Sequence, residues 1–173
     1  MQLVRPDYQL YKNKAGFGIR LLAYLLDSMA FILPLLFIWL FEEITDIFIP
    51  EQVVYMGYIL YVLLFHWRFG RTFGKYHTDT VVVHINGKAI GLAQSVNRML
   101  FYWIHIVAFA LIPLFLEQSE AAKHLSPVEV GMYYISFSVV MAIVFLIDHL
   151  FIVFRSDNRA LHDLIAGTQV LRK

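Results

Sequence analysis

The sequence predicts an all-α membrane protein, with four transmembrane helices in a two-fold parallel repeat and a small cytoplasmic β-hairpin. Three observations predict it. Of 173 residues 60% are hydrophobic and 16% charged, with a mean hydropathy of +0.64, too apolar for a soluble domain of this size. The apolar residues gather into four runs, each near the roughly 20 residues that cross a bilayer. The stretch "RLLAYLLD", from Arg20, has a counterpart in "RMLFYWIH", from Arg98, with Arg, Tyr and a titratable residue at matching places.

The whole chain, 1–173, reads as one membrane domain. Residues 1–18 form a polar cytoplasmic segment; Arg5, Asp7, Lys12 and Lys14 leave no apolar core, so no cleavable signal peptide is expected. The spans run over 19–41, 53–67, 93–116 and 130–154, and the second is the shortest. Between the second and third, loop 68–92 contains "DTVVVHINGKAI", two β-type runs around Asn86-Gly87, the dipeptide of a type I′ hairpin. The tail, 155–173, ends in "GTQVLRK", extended in character and able to add a strand.

Lys and Arg set the orientation. The first and third loops are acidic, with Glu42, Glu43, Asp46 and Glu51 in one and Glu117, Glu120 and Glu129 in the other. Arg68, Arg71, Lys75 and Lys88 mark the middle loop, and Arg155, Arg159, Arg172 and Lys173 the tail. Both termini are therefore expected on the cytoplasmic side of a cell membrane crossed several times.

Several classes of function are disfavoured. Net charge is +1 with no basic block, so no nucleic-acid partner is expected. Cys is absent, which removes thiolate metal sites, disulfides and cysteine catalysis. No nucleophile elbow, HExxH or phosphate-binding glycine loop occurs, so neither an enzyme with catalytic residues nor a metal or cofactor is expected. A b-type haem held by His66, His105 and His149 is disfavoured, because His66 and His149 lie nearer the cytoplasmic end than a pairing with His105 needs.

Aligning Arg20 with Arg98 also aligns Tyr24 with Tyr102 and Asp27 with His105. "GRTFGKYHTDTVVV" from Gly70 and "NRALHDLIAGTQVL" from Asn158 match at Arg71/Arg159, Thr80/Thr168 and Val82/Val170. One unit, helix, acidic loop, helix and basic extension, is used twice. Both copies start on the same side, so the relating axis runs along the membrane normal. The alternative is unrelated apolar helices with basic ends.

"AGFGIRLLAYLLDSMAFIL", the stretch from Gly70 to Leu100 and "RALHDLIAGTQVL" resemble the RDD family of bacterial membrane proteins, over nearly the whole chain after about Ala15. The resemblance assigns Arg20 to the family arginine, Asp27 to its first aspartate and Asp163 to its second, and Gly74-Lys75 fits a Gly-Lys element. Tyr76-His77-Thr78-Asp79 departs from the pattern, in which more apolar residues and a glycine are usual. The resemblance implies a bacterial cytoplasmic membrane protein and points toward transport, since one member is described as a sodium/proton antiporter.

Seven residues separate Arg20 from Asp27, about two turns and roughly 10 Å of rise, so they share a face with Tyr24 between them. Arg98, Tyr102 and His105 repeat this geometry, and Asp148 precedes Arg155 by the same interval on a helix running the other way. Asp27, His105 and Asp148 are therefore expected at one depth. Charge in hydrocarbon is normally turned inward and paired. This layer is the expected ion-binding and proton-relay site, supported by Arg20, Arg98, Tyr24 and Tyr102. The bland alternatives are that the arginines snorkel to headgroups and that Asp27 only locks the bundle. Lys75 and Asp163, equivalent in the two copies, are expected to form a cytoplasmic ion pair between the halves.

The function expected is transport of small ions, most concretely monovalent cation/proton antiport through the carboxylate layer, with the bilayer, a cation and a proton as partners. Four helices make a small transporter, so a homo-oligomer is expected. The alternative is a non-transporting scaffold or partner subunit whose buried charges specify packing.

Overall fold

The computed structural model describes residues 6–47, 49, 51–105, 107–108, 111 and 126–173. A 3₁₀ turn at Tyr8–Leu10 leads into β1 (Asn13–Lys14) and α1 (Phe17–Thr45). Then come α2 (Glu51–Phe69), α3 (Phe73–His77), β2 (Thr80–His84) and α4 (Leu92–Arg98). Residues 100–105 are helical again, and α5 (Pro127–Phe154), α6 (Leu161–Ala166) and β3 (Thr168–Arg172) complete the chain.

Helix ends follow local chemistry. Before α5, Ser126 Oγ accepts from Glu129 N at 3.3 Å while Glu129 Oε2 accepts from Ser126 N at 2.7 Å, a capping box. Gly167 stops α6 with φ +63°, the left-handed residue that ends many helices. Among the described residues, Phe17–Thr45 and Val128–Phe154 are long and apolar enough to cross a membrane, and Val53–Phe69 is a shorter apolar helix. Their outward faces carry exposed Leu33, Phe37, Trp39, Ile135 and Ile143, the surface a hydrocarbon solvent accepts and water does not.

The expected third helix is interrupted: α4 stops at Arg98, Met99 takes φ −92° and ψ 10°, and helix resumes at residue 100. The remainder of that span, 106–116, lies largely outside the described residues, as do Glu117 and Glu120 of the third loop.

The tail adds a strand as expected. The sheet has the order β1-β3-β2, antiparallel throughout, with Val82 opposite Val170, Thr80 and Asn13 opposite Arg172, and Thr168 opposite His84. The expected hairpin is reduced to a turn with one bridge, Val83 to Ala89. Its turn is not type I′, because Gly87 has φ +80° while Asn86 has no positive φ. β3 pairs along the opposite edge of β2, and on the hairpin edge Val82 N donates to Gly70 O at 2.7 Å instead of to a second strand. N-terminal segment, middle loop and tail thus meet in one sheet on one side of the helices.

Left-handed backbone recurs at matching places of the two aligned stretches. Gly70 (φ +69°) corresponds to Asn158 (φ +52°), and Asp79 (φ +51°) to Gly167 (φ +63°). The core is split accordingly. Ala15, Val82, Ile90 and Val170 pack under the sheet against Ile19, and Ile59, Val62 and Met99 pack between α2 and the residues after α4.

Candidate functional site

Asp27, two turns into α1, accepts Thr72 Oγ1 at 2.6 Å on one oxygen, and Gly74 N at 2.7 Å and Tyr61 Oη at 3.1 Å on the other. Tyr61 Oη also accepts Phe73 N at 2.8 Å. The first turn of α3 would otherwise leave its amides unsatisfied, and Thr72 does not cap them with its own side chain. Asp27 does so from another helix. Gly74 makes the approach possible, because a Cβ there would collide with the carbonyl oxygen of Ala23.

Asp163, on α6, is fully buried between two arginines. Arg20 Nη1 lies 2.5 Å from Oδ2, and Arg98 Nη1 is bonded to Oδ1. Ala160 N donates to Oδ2 at 3.2 Å and Thr168 Oγ1 to Oδ1 at 3.3 Å. Arg20 completes its set on Ala15 O at 2.9 Å and Asn158 O at 2.5 Å. It is 6% exposed, so it does not snorkel. Burial alone would raise the Asp163 pKa, but Arg98, His162 and Arg20 outweigh it and hold the carboxyl well below its usual range.

Asp148, low on α5, receives His162 N at 2.7 Å and contacts His162 Nδ1 at 2.6 Å. Arg98 Nη2 lies 3.1 Å from His162 Nε2. A guanidinium only donates, so Nε2 accepts and Nδ1 carries the proton toward Asp148. That neutral tautomer agrees with the lowered His162 pKa, which burial depresses first. Asp148, His162, Arg98, Asp163 and Arg20 form one buried chain joining α5, α6, α4 and α1.

Beside it lies a cavity of about 30 Å³ lined among others by Asp27, His66, Lys75, Arg98 and Tyr102. Lys75 is buried, and Nζ stands 5.5 Å from the Tyr24 ring centroid. Burial pushes its pKa down to about 8, Asp27 and Asp163 raise it, and Arg98 and Arg20 lower it. Both ring nitrogens of His66, 4% exposed, lack a hydrogen-bond partner, as does Arg98 Nε.

The structure brings some expected residues together and separates others. Tyr24 and Tyr102 meet, hydroxyl to hydroxyl, at 3.1 Å. Asp27, His105 and Asp148 each have partners other than one another. Each carboxylate turns to the amides of a short returning helix, while His105 packs its ring against Tyr55 and Phe137, with centroids 5.4 and 5.5 Å away. The expected Lys75–Asp163 pair is not formed, because Arg20 and Arg98 already occupy both oxygens of Asp163. Lys75 has no ion pair with any carboxylate among the described residues. His66 and His149 line the cavity and His105 does not.

Sequence reasoning assigned no role in the site to Thr72, Tyr61, Gly74, His66 or His162. The alignment of "GRTFGKYH" with "NRALHDLI" held a signal for three of them, since Thr72 and Gly74 align with Ala160 and His162 at the start of α6. Nothing in the sequence marks His66 as facing a cavity.

No curated protein and no solved structure matches the chain. The family model described as the RDD family matches residues 14–167, and the chain belongs to that family of membrane proteins.

Proposed function

We propose that this membrane protein moves small ions across the bilayer by exchanging a monovalent cation for protons, with Asp27 and Lys75 as the exchange pair. One observation carries the reading: a buried lysine without a carboxylate partner among the described residues shares a small cavity with a buried aspartate. A pKa of about 8 lets Lys75 lose its proton near physiological pH. Asp27 is the carboxylate whose field most favours the ammonium, so a cation beside Asp27 expels the proton from Lys75. Protonation of Lys75 expels the cation in turn. Like charges in so small a volume exclude one another strongly, and that exclusion is the coupling antiport needs. The proton carrier is then Lys75 rather than a layer of carboxylates.

The membrane arrangement belongs to this proposal. Spans over 19–41, 53–67, 93–116 and 130–154, with both termini cytoplasmic, put the cavity at the cytoplasmic end of the bundle, and a homo-oligomer supplies the rest of a pathway. Duplication is supported by the paired left-handed residues and by the sheet register, in which the aligned Val82 and Val170 stand opposite each other, as a two-fold axis between them requires. The scaffold reading rests on a different observation: every oxygen of Asp27, Asp148 and Asp163 already has a donor.

Inverted vesicles with an acid interior and a ΔpH-sensitive dye separate the two. Sodium, potassium or lithium should collapse the gradient with wild type and fail to do so with Lys75→Gln or Asp27→Asn at equal membrane abundance. If wild type behaves as empty vesicles for every cation, antiport is wrong; variants that then alter only assembly support the scaffold.

A further inference from the structure

We propose that the cavity beside Lys75 is a binding site for a halide-sized monovalent anion, held by the Lys75 ammonium, the Nε–H of Arg98 and the ring of His66. The inference rests on which hydrogen-bonding groups around the cavity are still uncommitted. Arg20 has placed Nε and both terminal nitrogens on Ala15 O, Asp163 and Asn158 O. Tyr24 and Tyr102 share one hydroxyl–hydroxyl bond, and Thr72 donates to Asp27. Asp27, the carboxylate among the cavity's described lining residues, has donors on both oxygens. Among the cavity's described lining residues, Arg98 Nε–H and both ring nitrogens of His66 are shielded and without a hydrogen-bond partner, and the Lys75 ammonium stands beside them with no ion pair to a carboxylate. The lining thus holds an ammonium with no carboxylate partner among the described residues, beside a shielded guanidinium N–H and a shielded imidazole. Buried donors in such surroundings call for an electron-rich occupant, since an unpaired buried donor carries its full desolvation penalty.

Size narrows the class. A water-sized sphere takes roughly 10–15 Å³ of such space, so about 30 Å³ accepts one halide with at most one water beside it. Phosphate and sulfate are too large. His66 is 96% shielded and lines the cavity from the end of α2, while Lys75 and Arg98 reach it from α3 and α4. Three separate elements thus contribute donor-bearing residues to the lining of one cavity. The anion site shares its cavity and Lys75 with the exchange reaction proposed above, but it requires only a protonated Lys75 and no transport.

The test is equilibrium binding of radiolabelled chloride to the purified full-length protein in lipid nanodiscs, at constant ionic strength with gluconate as the replacing anion. Wild type should show a saturable component that bromide displaces and sulfate does not. His66→Phe should weaken it about tenfold or more, the size expected for one hydrogen bond to a charged group, and Lys75→Met should abolish it. Absence of saturable binding in monodisperse wild type overturns the site, whatever the variants do. Equal displacement by sulfate also overturns it, because it places the chloride on exposed basic side chains, and so does affinity unchanged in His66→Phe. Antiport has its own readout in ΔpH, so either proposal can fail alone.

Discussion

At the scale of single residues, three titrations act on stability with different signs. Asp163 is held below its usual range, so its contribution is present above the unfolded carboxylate pKa and is lost as pH falls toward the folded value. His162 is kept neutral by burial, so below about pH 6.5 the unfolded chain takes up a proton that the fold refuses, and stability again falls with acid. Lys75 works in the opposite direction. Its pKa is about 8 in the fold against 10.5 unfolded, so its burial penalty is complete below pH 8 and disappears as pH climbs through that window. A shift of that size corresponds to on the order of 3 kcal/mol. Lys75→Met should therefore unfold at higher temperature than wild type at pH 7, with the difference shrinking toward pH 10. A variant less stable than wild type at pH 7 would mean that contacts of the ammonium outweigh its desolvation.

At the scale of elements, α3 and α6 are the same device: a helix of one or two turns, entered in extended backbone, whose second residue donates its amide to an aspartate on a spanning helix. Gly74 allows α3 to seat on α1. Gly74→Ala drives a Cβ into the Ala23 carbonyl and pulls Gly74 N from Asp27, at a cost of about 2–4 kcal/mol. Gly57→Ala, where nothing lies within 4 Å, should be neutral or gain up to about 1 kcal/mol of helix propensity. Thermal unfolding of both variants checks this, and equal melting temperatures would show that α3 does not depend on close seating. Hydropathy made the long helices legible, and extended composition made β3 legible. The short helices were not, because five or six residues carry no readable 3.6 period. The residues of the site were legible in part for a related reason. Helical spacing put Arg20 and Asp27 on one face of α1, which lines the cavity, but a carboxylate's partner depends on which loop folds back onto it. Asp27 therefore went to Gly74 and Asp148 to His162, instead of to each other.

At the scale of the whole molecule, the proposed duplication explains where the charges sit. Lys75 and Asp163 hold equivalent positions on α3 and α6, and Arg20 and Arg98 equivalent positions on α1 and α4. Two arginines face one aspartate and one lysine across the axis relating the copies. Both guanidinium groups therefore lean to Asp163 and away from Lys75, which breaks a symmetry the backbone keeps in its sheet register and left-handed turns. On the proposed duplication, that lean is reversible. Asp163→Lys alone leaves two buried guanidinium groups beside two lysines and should cost at least the 3–5 kcal/mol of a broken buried pair. Adding Lys75→Asp supplies a carboxylate at the mirrored place, within reach of the same arginines, and should recover more than half of the lost stability. Thermal unfolding of wild type, both single variants and the double variant measures the coupling directly. If the double variant is as unstable as Asp163→Lys, the arginines depend on features of the second copy alone, His162 and Thr168 among them, and the halves are not interchangeable where it matters for charge.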